Sequence, residues 1–186
     1  GDIAQAVVDA VSSRSLPAPK RIASALAPAV DAGHLQFVPL DPTERSLLDR
    51  TSLTGRQSAR PGADVLSVRH SNMNGNKVDA FLQQTVDYRA AVTPTTGEVD
   101  ATATITLRND APSEGLPNAV IGGESHPPGN NRMLMSIWSA LTLDSATVGA
   151  QPVSVETQLD GSLRVSTFVV EVPPGATVQV VAHWRG

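Results

Sequence analysis

Val78-Asp79-Ala80-Phe81-Leu82-Gln83-Gln84-Thr85-Val86-Asp87-Tyr88-Arg89-Ala90-Ala91-Val92, then Pro94-Thr95-Thr96-Gly97, then Val99-Asp100-Ala101-Thr102-Ala103-Thr104-Ile105-Thr106-Leu107-Arg108, is the stretch on which the fold turns. In the first run Val78, Ala80, Leu82, Val86, Tyr88, Ala90 and Val92 alternate with polar neighbours, and only Phe81 and Gln84 break the pattern. In the second run Val99, Ala101, Ala103, Ile105 and Leu107 alternate with Asp100, Thr102, Thr104, Thr106 and Arg108. A period of two places one face on a core and the other in water, as in antiparallel sheets. Pro94 to Gly97 supplies the turn between two long strands.

Outward from that hairpin the same grammar continues. Asn109 to Asn131 holds four prolines and few periodic apolar residues, so it reads as loop. Met133, Met135, Ile137 and Leu141 restart a strand. Asp160-Gly161 lies between Val153–Leu159 and Leu163–Val172, and both turn residues tolerate positive φ. Pro173-Pro174-Gly175 precedes Val178, Val180, Ala182 and Trp184. About seven strands at this spacing predict an antiparallel, Ig-like β-sandwich over residues 63–186.

Residues 1–60 read differently. Ile3, Val7 and Val11, then Ile22, Leu26 and Val30, recur at helical spacing. Ser15 and Pro17 suit the start of the second helix, Gly33 suits its end, and Pro28 predicts a kink or an early stop. Leu35–Leu40 resembles a short strand. Asp41-Pro42-Thr43-Glu44 carries a cap, a first-turn proline and a glutamate at the third helical position, ahead of Leu47 and Leu48. Gly55–Gly62 is polar and turn-forming, a boundary. The predicted class is therefore mainly β with an N-terminal helical segment (α+β). The apolar helical stripes are expected to pack together or on the sandwich, as a junction to a missing upstream region. A chain that opens almost inside a helix and closes on a strand is expected to be a piece of a longer protein.

Composition narrows the functions. The chain has 186 residues, 14 Lys+Arg against 18 Asp+Glu, and a formal net charge of -4. Without a basic footprint, nucleic acid is not an expected partner. Zero cysteines exclude disulfides, thiolate metal sites and cysteine nucleophiles. No apolar run reaches ~18 residues, so direct membrane insertion by these residues is not expected. Aromatic residues make up 3% of the chain, too few for a stacking platform for sugars or bases.

Candidate chemistry is sparse. His34, His70, His126 and His183 fall in no metal-ligand spacing, and neither a phosphate-binding loop nor a nucleophile elbow occurs. Glu124, Ser125 and His126 can be drawn as base and nucleophile, but adjacent residues of an extended loop point to different sides. The densest polar stretch runs from Ser71 to Asp79. Asn72, Asn74, Asn76, Lys77 and Asp79 could meet a cation, a sugar or a partner. Gly75 falls at the wrong place for a calcium loop, and amides replace its carboxylates. Structural use in a turn is the stronger reading, because Asn and Gly accept positive φ and Asn bonds nearby backbone. The candidate contact set is thus Asn72, Asn74, Asn76, Lys77, Asp79, Glu124 and His126. No catalytic, cofactor or metal residue is assigned.

Asn74-Gly75-Asn76-Lys77-Val78-Asp79, Thr85-Val86-Asp87-Tyr88-Arg89, Thr106-Leu107-Arg108-Asn109-Asp110-Ala111-Pro112 with Gly115-Leu116-Pro117, and Pro128-Gly129-Asn130-Asn131-Arg132 occur in an order with a counterpart. Together with the Leu16-Pro17 helix and the Asp41-Pro42…Glu44 turn, they resemble the C-terminal part of the actinobacterial envelope proteins grouped as "domain of unknown function 4012". The departure is Ala80-Phe81-Leu82, where that family has an aromatic pair before the leucine. The resemblance implies an extracytoplasmic place in the cell envelope, a membrane-anchored parent protein and an upstream domain of the same protein as neighbour. It implies no catalytic residues.

The expectation is a non-catalytic envelope module that binds or spaces, with a cell-wall polymer or another envelope protein as partner and no cofactor. The alternative is an accessory part of an enzyme processing envelope glycans or lipid-linked precursors, with its main site upstream.

Overall fold

The computed structural model describes residues 2–13, 18–32, 34–48, 52–54, 64–122 and 126–186. The chain divides into two compact units, Gly1–Arg56 and Gln57–Gly186. Ser15, Pro17, Gly33 and the Gly55–Gly62 boundary lie outside the described residues.

The first unit holds α1 (Asp2–Ser12), α2 (Pro19–Asp31) and α3 (Pro42–Leu48). α2 opens on Pro19, whose missing N–H would have had no partner in the first turn, and runs through Pro28 to Asp31. The Asp41 carboxylate caps α3 by accepting the N–H groups of Thr43 at 2.6 Å and Glu44 at 3.4 Å. Those bonds, the Thr43 N–H foremost, hold its carboxyl below the ordinary value. One expectation fails in this unit. Leu35–Leu40 forms no strand; its backbone is tied by the Leu35 N–H to the Ala29 carbonyl at 3.1 Å and the Phe37 N–H to the Leu53 carbonyl at 2.7 Å. The helical stripes are covered only in part within this unit: Ile22 and Val30 are half-buried, whereas Ile3 is 84% exposed and Val7 and Leu26 are also open to solvent.

The second unit contains β1 (Leu66–Asn72), β2 (Leu82–Val92), β3 (Val99–Asn109), α4 (Asn118–Ile121), β4 (Asn131–Ser139), β5 (Thr142–Val148), β6 (Gln151–Pro152), β7 (Glu156–Asp160), β8 (Leu163–Val172) and β9 (Thr177–Arg185). They form two antiparallel sheets, one in the order β1-β4-β8-β7 and one in the order β2-β3-β9-β5-β6. The β2–β3 hairpin lies in sequence between β1 and β4, which are neighbours in the other sheet.

A single apolar cluster joins the two inner faces. Ala101, Ala103, Ile105 and Leu107 of β3 and Val180, Ala182 and Trp184 of β9 meet Met133, Met135 and Ile137 of β4 and Phe168, Val170 and Val172 of β8. Each fully buried large side chain contributes roughly 1.5–3 kcal/mol. Tyr88 meets Trp184 edge-on, with ring centroids 6.4 Å apart. The fold is the expected antiparallel sandwich, with nine strands among the described residues rather than about seven.

Two local readings need correction. The additional strands are β5 and β6; a bulge between Leu143 and Ser145 shifts the inward parity of β5, so Leu143 and Ala146 both face the core and the two-residue period is lost. The run from Val78 is not strand at its start. Val78–Phe81 is a 3₁₀ turn, and the i, i+3 spacing carries Val78 and Phe81 into a second small cluster with Val120, Ile121 and Ala111.

Candidate functional site

The Ser71–Asp79 stretch folds as a latch over the loop that follows β3. Asn72, the last residue of β1, donates its Nδ2 to Asn76 Oδ1 at 2.8 Å and accepts the Asn74 N–H at 2.7 Å. Gly75 takes φ +68 at the tip. Three links then cross to the loop: Asn74 Nδ2 to the Asn130 carbonyl at 3.1 Å, Asn76 Nδ2 to the Gly122 carbonyl at 2.8 Å, and the Lys77 N–H to the Val120 carbonyl at 2.9 Å. Asp79 Oδ1 accepts from Asn131 Nδ2 at 3.0 Å. Asn131 is fully buried, and its Oδ1 has no hydrogen-bond partner. A second buried amide anchors the far side: Asn109 Nδ2 donates to the Gly129 and Val172 carbonyls at 2.8 Å each, and its Oδ1 accepts the Ala111 N–H.

Of the expected contact residues, Asn72, Asn74, Asn76 and Asp79 therefore form one network with Asn130 and Asn131, and Lys77 joins it through its backbone. His126 does not meet that network through its ring. Its Nε2 lies 3.7 Å from Glu171 Oε1, a carboxylate that also accepts from Arg132 Nε at 3.0 Å. Glu124 and Ser125 lie outside the described residues. Among the described residues no three or more His, Asp or Glu side chains gather as a metal site.

A different surface offers the more open geometry. The outer face of the five-stranded sheet carries a shallow trough of about 660 Å³ lined by Thr85, Asp87 and Arg89 of β2, with Val86 at its border, Thr102, Thr104 and Thr106 of β3, and Gln179 of β9. Strand register sets its rows. Thr85, Thr106 and Gln179 stand side by side, then Asp87, Thr104 and Val181, then Arg89, Thr102 and His183. Thr102 Oγ1 lies 2.9 Å from His183 Nδ1. Arg89 Nε and one Nη donate to the two oxygens of Asp87 at 3.0 and 3.2 Å. That bonding first, and the charge behind it, holds the Asp87 carboxyl below its ordinary value and the Arg89 guanidinium above its own. Arg108 with Asp110 flanks one end of the trough, and Arg185 with Asp100 flanks the other.

The face combines hydroxyls, one amide and one ion pair with the apolar side chains of Val86 and Val181, so it can hydrogen-bond a polar chain along its threonine rows. These residues were missed because the alternation in Ala101–Leu107 was read for its apolar half; the signal was the matching Thr102, Thr104, Thr106 half. Comparison of the chain with family models, curated proteins and solved structures finds no match.

Proposed function

We propose that the chain is a non-catalytic, extracytoplasmic module of a cell-envelope protein, and that its sandwich holds a cell-wall polymer along the threonine trough. The observation that carries this reading is the trough itself. Strand spacing of about 4.8 Å and a two-residue repeat set donors and acceptors on a regular grid, and a shallow trough open to solvent along its length suits a chain laid across it better than an enclosed small molecule. The amides of the Asn72–Asp79 latch are engaged with the neighbouring loop, which makes them braces for the sandwich rather than free binding groups. The resemblance of its motifs to the actinobacterial envelope proteins is the support for the location and for a membrane-anchored parent.

Titrating the ¹⁵N-labelled chain with soluble cell-wall polysaccharide fragments tests it. Shifts are expected at Thr102, Thr104, Thr106 and Arg89, and Thr104→Val, which keeps shape and removes a hydroxyl, weakens binding about five-fold. Amide signals of the trough that stay unmoved at millimolar fragment overturn the binding role.

A further inference from the structure

We propose that β2 is a self-association edge: two copies of this chain join their five-stranded sheets through antiparallel β2 strands, with Tyr88 on the two-fold axis. Among the described residues β2 pairs only with β3, which leaves the backbone groups of its other side without a ladder. It is also the longest strand at a sheet border, 11 residues against seven for β1, five for β7 and two for β6. Of the usual devices against edge pairing it lacks proline, lysine and a break in register, and its two charged residues, Asp87 and Arg89, are opposite in sign. Its inner-face residues Val86 and Val92 are 41% and 61% exposed, an apolar strip that the opposite sheet does not cover.

Charge selects the partner and the register. A two-fold axis normal to the sheet pairs residues whose numbers sum to a constant even value, which keeps inner side chains with inner ones. Centred on Asp87, that axis sets one carboxylate against its own copy. Centred on Arg89, it opposes two guanidinium groups. Centred on Tyr88, it sets Asp87 against Arg89 of the second copy twice, and Val86 against Ala90 twice on the inner face. Cross-strand pairs of opposite charge favour a register and like pairs oppose it. Asp87 and Arg89 are both exposed and already bonded to each other within the strand, so the exchange costs little desolvation. The same sequence, read in reverse, is thus its own complement. This inference is independent of what the trough binds.

Sedimentation of the full 186-residue chain across micromolar to millimolar concentration tests it, with circular dichroism confirming the fold of each variant. A reversible monomer–dimer equilibrium is expected. Asp87→Arg and Arg89→Asp each weaken self-association about ten-fold, because each opposes like charges twice. An equimolar mixture of the two variants associates again, and so does the double variant Asp87→Arg/Arg89→Asp. A chain that stays monomeric to millimolar concentration overturns the proposal. So does a dimer indifferent to both reversals, or one that the double variant fails to restore.

Discussion

Asn109 shows what one buried amide does in this chain. With no solvent exposure, it satisfies the carbonyls of Gly129 and Val172 and the N–H of Ala111, tying β8 and two separate loop segments to the end of β3. Asn109→Ala orphans all three groups at about 1–3 kcal/mol each, so a stability loss of about 3 kcal/mol or more is expected in urea denaturation. Tyr88 is the chain's one tyrosine, so its ionisation is readable alone by ultraviolet absorbance. Burial, then donation to the Asp64 carboxylate, pushes its hydroxyl well above the ordinary 10.0. The unfolded chain therefore releases this proton first. The Tyr88 contribution to stability is complete below pH 10 and is lost as pH rises beyond it. In the folded protein Tyr88 is expected to stay protonated well past pH 10, and Asp64→Asn moves the titration back toward 10 without restoring it fully, because burial remains. Neither contact was legible in the sequence, since Asn109 meets Val172 and Tyr88 meets Asp64 only through the fold.

At the scale of elements, legibility followed periodicity. The β2–β3 hairpin was readable because one sheet face is buried along all of β3, so Ala101 to Leu107 alternate without a fault. β5 was not, because its bulge changes the inward parity halfway along. Phe81 broke the strand pattern for a local reason: it belongs to a 3₁₀ turn. Gln84 broke it for another, because the inner face of β2 is open there. The trough was half legible, through the threonines of one strand; its β2 and β9 walls needed the register. Loop glycines separate in the same way. A Cβ on Gly129 would lie 2.6 Å from the Pro112 carbonyl oxygen, and the residue has φ +78. Gly161 has φ +62 and open space around it. Gly161→Ala is expected to cost about 1 kcal/mol through left-handed strain alone. Gly129→Ala is expected to cost about 3 kcal/mol, because backbone must also move. Thermal denaturation of the two variants side by side checks the difference.

For the molecule as a whole, long-range pairing dominates. β3 pairs with β9 although Ile105 and Val180 stand far apart in sequence, and β9 is the centre of its sheet, with β3 on one side and β5 on the other. Deleting 177–186 removes Val180, Ala182 and Trp184 from the core and leaves both neighbours with an open edge. Loss of cooperative unfolding, seen as a broad circular dichroism transition, is the expected result. The latch adds a consequence of a different kind. Asn74-Gly75 is a dipeptide prone to deamidation: the glycine nitrogen attacks the carboxamide carbon, ammonia leaves, and water reopens the ring to aspartate or isoaspartate. In the folded chain that carboxamide is held by the Asn130 carbonyl, so ring closure must wait until the tip lets go. Ageing at Asn74, followed by mass spectrometry, thereby counts how often this corner of the protein breathes.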